Sequence, residues 1–293
     1  MHSFSASSIP EPVGSYASNQ ILRPVALIGC RATEIPHDCC EYDLAVFSNE
    51  SRKNEVVNVE GYSVEVLYLG NDPRNYVVEL HETAILEDTE KFLLASAKKE
   101  MTREKYRRAL SAAGRKSLIG SLLCQQRMIE STGRPVLAAM WAKLACYRFI
   151  AGVLALSGKR PMPLHELEQV RQTDSPASVA DGIQAALDCI GMERATRPAI
   201  SRSIEAVREL KSKEYDNRLV VSKIEYLLER QMLADCYYYM GRVAAATLAR
   251  KSSSFHTRYS KLIQISMDLT SDVQHLQNLQ RRLFRAANAC LKG

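Results

Sequence analysis

Between Ile21 and Leu69 the apolar positions come in short runs or alternate with polar ones. These runs are VALIG at 25–29, EYDLAVF at 41–47, EVVNVE at 55–60 and YSVEVLYL at 62–69. Their β-branched and aromatic content, with Gly29 closing the first and Gly61 turning the chain between the last two, predicts three or four strands. After Asn71-Asp72-Pro73 the period changes to that of a helix and stays so to the end. The breakers divide this part into helices over 87–112, 115–131, 135–157, 163–172, 176–190 and 198–213, with Pro135 in a first turn and Gly158 past an end. Two longer helices are expected at 217–251 and 257–291. Leu219, Ile224, Leu227, Leu228 and Leu233 stripe the first, and Leu262, Ile265, Leu269, Val273, Leu276, Leu279 and Leu283 the second, as in two antiparallel members of a bundle.

The pattern therefore reads as α+β, a small sheet domain followed by an all-α helical bundle domain. The expected divisions are a flexible, Ser-rich leader at 1–18, a sheet domain at 19–85 and a helical domain at 86–293, the last dividing near 172 into two subdomains. With 46% apolar residues in 293, the chain can build a real core. The apolar stretch from Pro135 to Gly158 has the length of a membrane span but carries Lys143 and Arg148, so a buried amphipathic helix and no membrane association are expected. The leader shows neither the basic nor the apolar region of a secretory signal, and the eight cysteines include no C-x-x-C pair. Both features point to a reducing, cytoplasmic setting.

Charge sharpens the division. Residues 1–90 hold 5 Lys+Arg against 15 Asp+Glu, a net of −10, whereas 91–293 hold 34 against 18, a net of +16. An acidic module suited to cations thus precedes a basic one suited to polyanions. Candidate chemistry concentrates at 27–47, LIGCRATEIPHDCCEYDLAVF, where two acids stand inside an apolar strand. Residues i and i+2 of a strand share a face, so Glu41 and Asp43 project side by side, about 7 Å apart at the backbone, while Tyr42 and Leu44 face away. Two such carboxylates repel one another unless a cation lies between them, and Mg²⁺ prefers one or two carboxylates completed by phosphate oxygens. Glu65, enclosed by Val64 and Val66, would complete a three-acid site for two-metal chemistry on a phosphate, whereas Glu60 falls at a turn. Gly29 ends a strand where backbone N–H groups can approach phosphate, and Arg31 can add charge.

Gly29-Cys30-Arg31-Ala32 followed twelve residues later by Glu41-Tyr42-Asp43-Leu44 resembles the signature of the nucleotidyltransferase superfamily typified by DNA polymerase beta: glycine-serine, a loop of this length, two acids one residue apart, then a third strand acid. The resemblance covers about residues 21 to 70, and the helical remainder is similar in layout to stand-alone members with a C-terminal helical domain. It implies a mixed sheet, contacts from Gly29, Cys30 and Arg31 to the triphosphate, and metal binding by Glu41, Asp43 and Glu65, with Glu65 also helping to deprotonate the attacking hydroxyl. The implied reaction is Mg²⁺- or Mn²⁺-dependent transfer of a nucleoside monophosphate, expected to be AMP from ATP, to a hydroxyl of a small-molecule, RNA or protein acceptor. Cys30 stands where the family has serine, and Glu41 and Glu65 where aspartate is commoner. These departures keep open an alternative, a nucleotide-binding regulatory or toxin–antitoxin-type interaction module with the same fold. A homodimer through the C-terminal helices is a further expectation.

Other constellations are expected to be structural. His37, Cys39 and Cys40 with Cys30 have no zinc-site spacing. Ala113-Gly114-Arg115-Lys116-Ser117 lacks both the first glycine and the preceding strand of a P-loop. Lys98, Lys99, Arg103, Lys105, Arg107, Arg108, Arg115 and Lys116 form either a solvated helix face or a cradle for triphosphate or acceptor. Arg250, His256 and Tyr259 read as an inter-helix turn, and Tyr237, Tyr238 and Tyr239 are not all expected to face the core, so that at least one lines a groove or interface.

Overall fold

The computed structural model describes residues 9–292 except 22, 34, 35, 51, 89–92, 213, 214 and 271. The chain is α+β and forms two compact units, Met1–Ala109 and Leu110–Gly293. In the first, a five-stranded mixed sheet has the order β3-β4-β2-β1-β5. Its strands are β1 (Val25–Ile28), β2 (Tyr42–Phe47), β3 (Glu55–Val59), β4 (Tyr62–Leu69) and β5 (Ala84–Glu87). β1 runs antiparallel to β2 and β5, β3 antiparallel to β4, and β2 parallel to β4. The β3–β4 hairpin closes through Glu60 and Gly61, both at positive φ (48° and 92°), as a two-residue turn with right-handed twist requires.

Alternation assigns the two faces of the sheet. Val25, Leu27, Tyr42, Leu44, Val46, Val64 and Val66 fill one, and Ala26, Ile28, Ala45 and Phe47 the other. The first face is covered from the N-terminal side, where α1 (Glu11–Tyr16) and the wide turn after it bury Val13 and Ala17 completely. Val13 and Ala17 of the expected leader are therefore part of the core, because that apolar face must be covered; residues 1–8 lie outside the described residues. The second face is covered by Leu80 of α2 (Val77–His81) and Leu94 of α3 (Leu93–Glu100). Strand β5 lies in the stretch after Pro73 that reads as helical and ends at Glu87, where the helix expected over 87–112 would begin. Pairing with the otherwise open edge of β1 outweighs local propensity in the short run AILE.

The expected break near residue 113 is absent, since α4 runs unbroken from Arg103 to Glu130. Gly114 sits mid-helix where a Cβ would stand 3.0 Å from Gly152 O, so its smallness serves the approach to α5 (Pro135–Leu156). α5 is the one helix among the described residues long and apolar enough to cross a membrane, and 89% of its apolar window is buried inside the protein. It is buried nearly all round rather than along one amphipathic stripe. Arg148 reaches solvent, while Lys143, 3% exposed, donates to Ile190 O at 2.6 Å, Met267 O at 2.8 Å and Asp268 O at 3.2 Å.

Around α5 lie α6 (Glu166–Arg171), α7 (Ala177–Ile190), α8 (Arg197–Glu209), α9 (Asn217–Glu229) and α10 (Leu233–Ala249), then α11 (Ser253–Arg258), α12 (Ser260–Ser266) and α13 (Val273–Lys292). The helix expected over 217–251 is thus broken at Gln231 and the one over 257–291 at Asp268, both left-handed (φ 58° and 44°). At the second break the Met267 and Asp268 carbonyls accept from Lys143, and the Asp268 carboxylate accepts from Tyr237 Oη at 2.8 Å. These bonds offset the strain of a non-glycine residue in that conformation. The break also displaces the predicted stripe, leaving Ile265 39% exposed. Tyr237, Tyr238 and Tyr239 are all buried, against the expectation that they do not all face the core, because helices pack around α10 on several sides. Tyr238 donates to Glu166 Oε2 at 3.0 Å, and the same carboxylate pairs with Arg242. His256 is buried edge-on to Trp141 with Nε2 2.9 Å from Leu248 O, an inter-helix packing role.

Candidate metal centre

The parallel β2–β4 ladder sets Asp43 directly opposite Glu65, and the antiparallel β1–β2 ladder sets Ile28 opposite Asp43. Glu41 stands one residue before β2, so Glu41, Asp43 and Glu65 converge on one face at one end of the sheet. One carboxylate oxygen from each lies within 4.8 Å of the others. Glu41 is 7% exposed; Asp43 and Glu65 are half-buried, leaving the cluster open on one side. At 4.8 Å, two unit negative charges repel by roughly 1–3 kcal/mol across effective dielectrics of about 20 to 60, so a counter-cation is electrostatically favoured among three.

Gly29 makes this packing fit. Its backbone, at φ 73° and ψ −162°, lies in a region essentially closed to other residues. A Cβ there would overlap Asp43 Oδ2 and stand 2.8 Å from its Cγ. The requirement for glycine thus comes from the neighbouring carboxylate as well as from the turn.

Beyond Gly29 a single 3₁₀ turn, Cys30–Ala32, starts the loop that returns at Cys40. The Cys30 and Cys40 sulfurs lie within 4.8 Å of each other, both buried, and all eight cysteines are free thiols. A hydrogen bond donated by the Cys30 thiol to the Cys40 sulfur, together with burial, pushes the Cys30 thiol far up from its ordinary range. The Arg31 guanidinium donates to Cys40 O at 3.0 Å and Asp38 O at 2.8 Å and lies 4.8 Å over the Tyr42 ring. In this structure Arg31 therefore ties the loop to the start of β2. Thr33 Oγ1 adds a bond to Cys30 O at 2.7 Å.

Two residues from farther along the chain stand at the same end of the sheet. Thr83, level with Ile28 by the β1–β5 register, donates from Oγ1 to Leu27 O at 2.5 Å, and its own carbonyl accepts from Lys98 Nζ at 2.6 Å. Partial burial pushes the Lys98 ammonium below its usual range. Lys98 lies one helical turn beyond Leu94, whose side chain packs beside Ile28 on the face that carries the acids. Lys98 is one of the eight residues of the basic run 98–116 that the charge pattern marks, but no local signal marks Thr83, because its role depends on strand pairing. Of the rest of the basic run, Arg108 pairs with Glu104 in solvent, and Arg115 donates to Leu291 O. Ala113–Ser117 lies inside α4, which leaves no loop to hold a phosphate.

Three hard oxygen donors, two of them partly open to solvent, suit Mg²⁺ or Mn²⁺ and leave coordination positions for phosphate or water. No protein-family model and no curated protein matches the chain.

Proposed function

We propose that the chain is a metal-dependent nucleotidyltransferase that moves a nucleoside monophosphate, AMP from ATP in the first instance, to an acceptor hydroxyl. The observation that carries this reading is the convergence of Glu41, Asp43 and Glu65 on one sheet face, with Gly29 shaped around the Asp43 carboxylate. Glu41, Asp43 and Glu65 would hold the divalent ions. When bound, these ions supply neutralisation of the triphosphate, a lowered pKa for the attacking hydroxyl and stabilisation of departing pyrophosphate. Glu65, on the partly open side, would accept the hydroxyl proton. Gly29 lets the chain pass the carboxylates without a side chain, and Lys98 adds positive charge at the same end of the sheet for the outer phosphates.

A second reading, a nucleotide-binding module without efficient transfer, is favoured by the engagement of Cys30 with Cys40 and of Arg31 with the loop backbone. One assay separates the two. Purified protein is incubated with labelled ATP, Mg²⁺ or Mn²⁺ and a panel of RNA, aminoglycoside and protein acceptors. Pyrophosphate release abolished by Asp43→Asn supports transfer; ATP binding with no pyrophosphate on any acceptor supports the module.

A further inference from the structure

Neither reading gives the paired Cys30 and Cys40 thiols a chemical step. Cys30 follows Gly29 at the end of β1, and Cys40 precedes Glu41 at the entry to β2. The β1–β2 register joins Ile28 to Asp43, so the segments that carry Cys30 and Cys40 leave the end of that ladder side by side. Their sulfurs lie within 4.8 Å, and the Arg31 bonds to Cys40 O and Asp38 O hold the segments in that approach. Sulfurs this close come within reach of a disulfide once their side chains rotate and the adjoining backbone shifts. Vicinal Cys39 is only half-buried. In a reducing setting a pair of this kind belongs to the transient, redox-responsive class of disulfides rather than to the structural one.

We propose that Cys30 and Cys40 form a modification site, an intramolecular disulfide made by a peroxide, that closes the loop leading into the acid cluster and weakens its hold on divalent cations. One thiolate attacks the O–O bond of hydrogen peroxide, giving a sulfenic acid and, after protonation, water. The second sulfur displaces that hydroxyl as a second water. Two thiols lose two protons and two electrons, and the peroxide takes up both to become two waters. An S–S bond of about 2.05 Å replaces a looser contact and draws Cys40 toward β1. Glu41, bonded directly to Cys40, moves with it. The effect on metal rests on the proposed metal site; the disulfide itself does not.

The test treats the full chain with hydrogen peroxide, alkylates residual thiols and maps the non-reduced tryptic peptides by mass. The peptide ending at Arg31 is expected to be joined to the one carrying Cys39 and Cys40, in wild type and in Cys39→Ser but not in Cys40→Ala. Quantitative alkylation of Cys30 after oxidation, or a cross-link lost in Cys39→Ser, overturns the proposal. Mn²⁺ affinity is then read by the free-ion paramagnetic resonance signal, with about a tenfold weakening on oxidation and recovery with dithiothreitol expected. A correct cross-link with unchanged Mn²⁺ affinity overturns the coupling. If the reduced protein binds no Mn²⁺, the metal-centre reading fails, and the mass map alone still decides the disulfide.

Discussion

Replacing Gly29 by alanine tests whether the backbone there is shaped by Asp43. Two costs arise. The conformation at φ 73°, ψ −162° is essentially glycine-only and costs a side-chain-bearing residue about 1–3 kcal/mol. The new Cβ would also overlap Asp43 Oδ2 and stand 2.8 Å from Cγ, forcing the carboxylate aside at an overpacking cost of about 1–3 kcal/mol. Only the second cost depends on Asp43. A double-mutant cycle of Gly29→Ala with Asp43→Ala, measured by chemical denaturation in EDTA, should show a favourable coupling of about 1–3 kcal/mol, Gly29→Ala costing less once the carboxylate is gone. In the single mutant the displaced carboxylate should also weaken Mn²⁺ binding at least about tenfold, the equivalent of one 1.4 kcal/mol contact. Coupling within about 0.5 kcal/mol of zero would refute the packing argument.

Other consequences follow from the same geometry. In EDTA, Asp43→Asn should raise the melting temperature by relieving repulsion among the three acids, and it should remove the rise that Mn²⁺ gives the wild type; calorimetry with and without Mn²⁺ reads both. Arg242→Met should cost about 3–5 kcal/mol in denaturant melts by stranding fully buried Glu166, and adding Glu166→Leu should recover much of it. Burial lowers Lys143 to about 8, below its unfolded value, so between pH 8 and the unfolded pKa the unfolded chain binds the extra proton and stability rises with pH. Denaturation of wild type against Lys143→Met across that range should show the wild type gaining on the variant as pH rises.

The convergence of the three acids was legible in the sequence because its parts are local and periodic. Glu41 and Asp43 at i and i+2 and Glu65 between valines specify a shared face once the strands pair, and the pairing came out in register. What escaped the sequence depends on distant partners. Strand β5 exists because β1 has an edge to fill, and the helix at Glu11 because the sheet has a face to cover. The helix breaks at Gln231 and Asp268 carry neither glycine nor proline, and the second is supported by Lys143 from another helix. The three tyrosines looked too many for one core because period alone cannot show that α10 is enclosed from several directions. Gly29 was readable as a turn, yet its closeness to Asp43 emerges only when β1 and β2 are side by side.

The central claim, that Glu41, Asp43 and Glu65 form a centre for divalent cations, is tested most directly by anomalous diffraction from crystals soaked with Mn²⁺ and a non-hydrolysable ATP analogue. The account predicts an anomalous peak bonded to carboxylate oxygens of Asp43 and Glu65 beside Gly29, with analogue phosphates on its open side. Mn²⁺ peaks elsewhere, with none at these three residues, would contradict it.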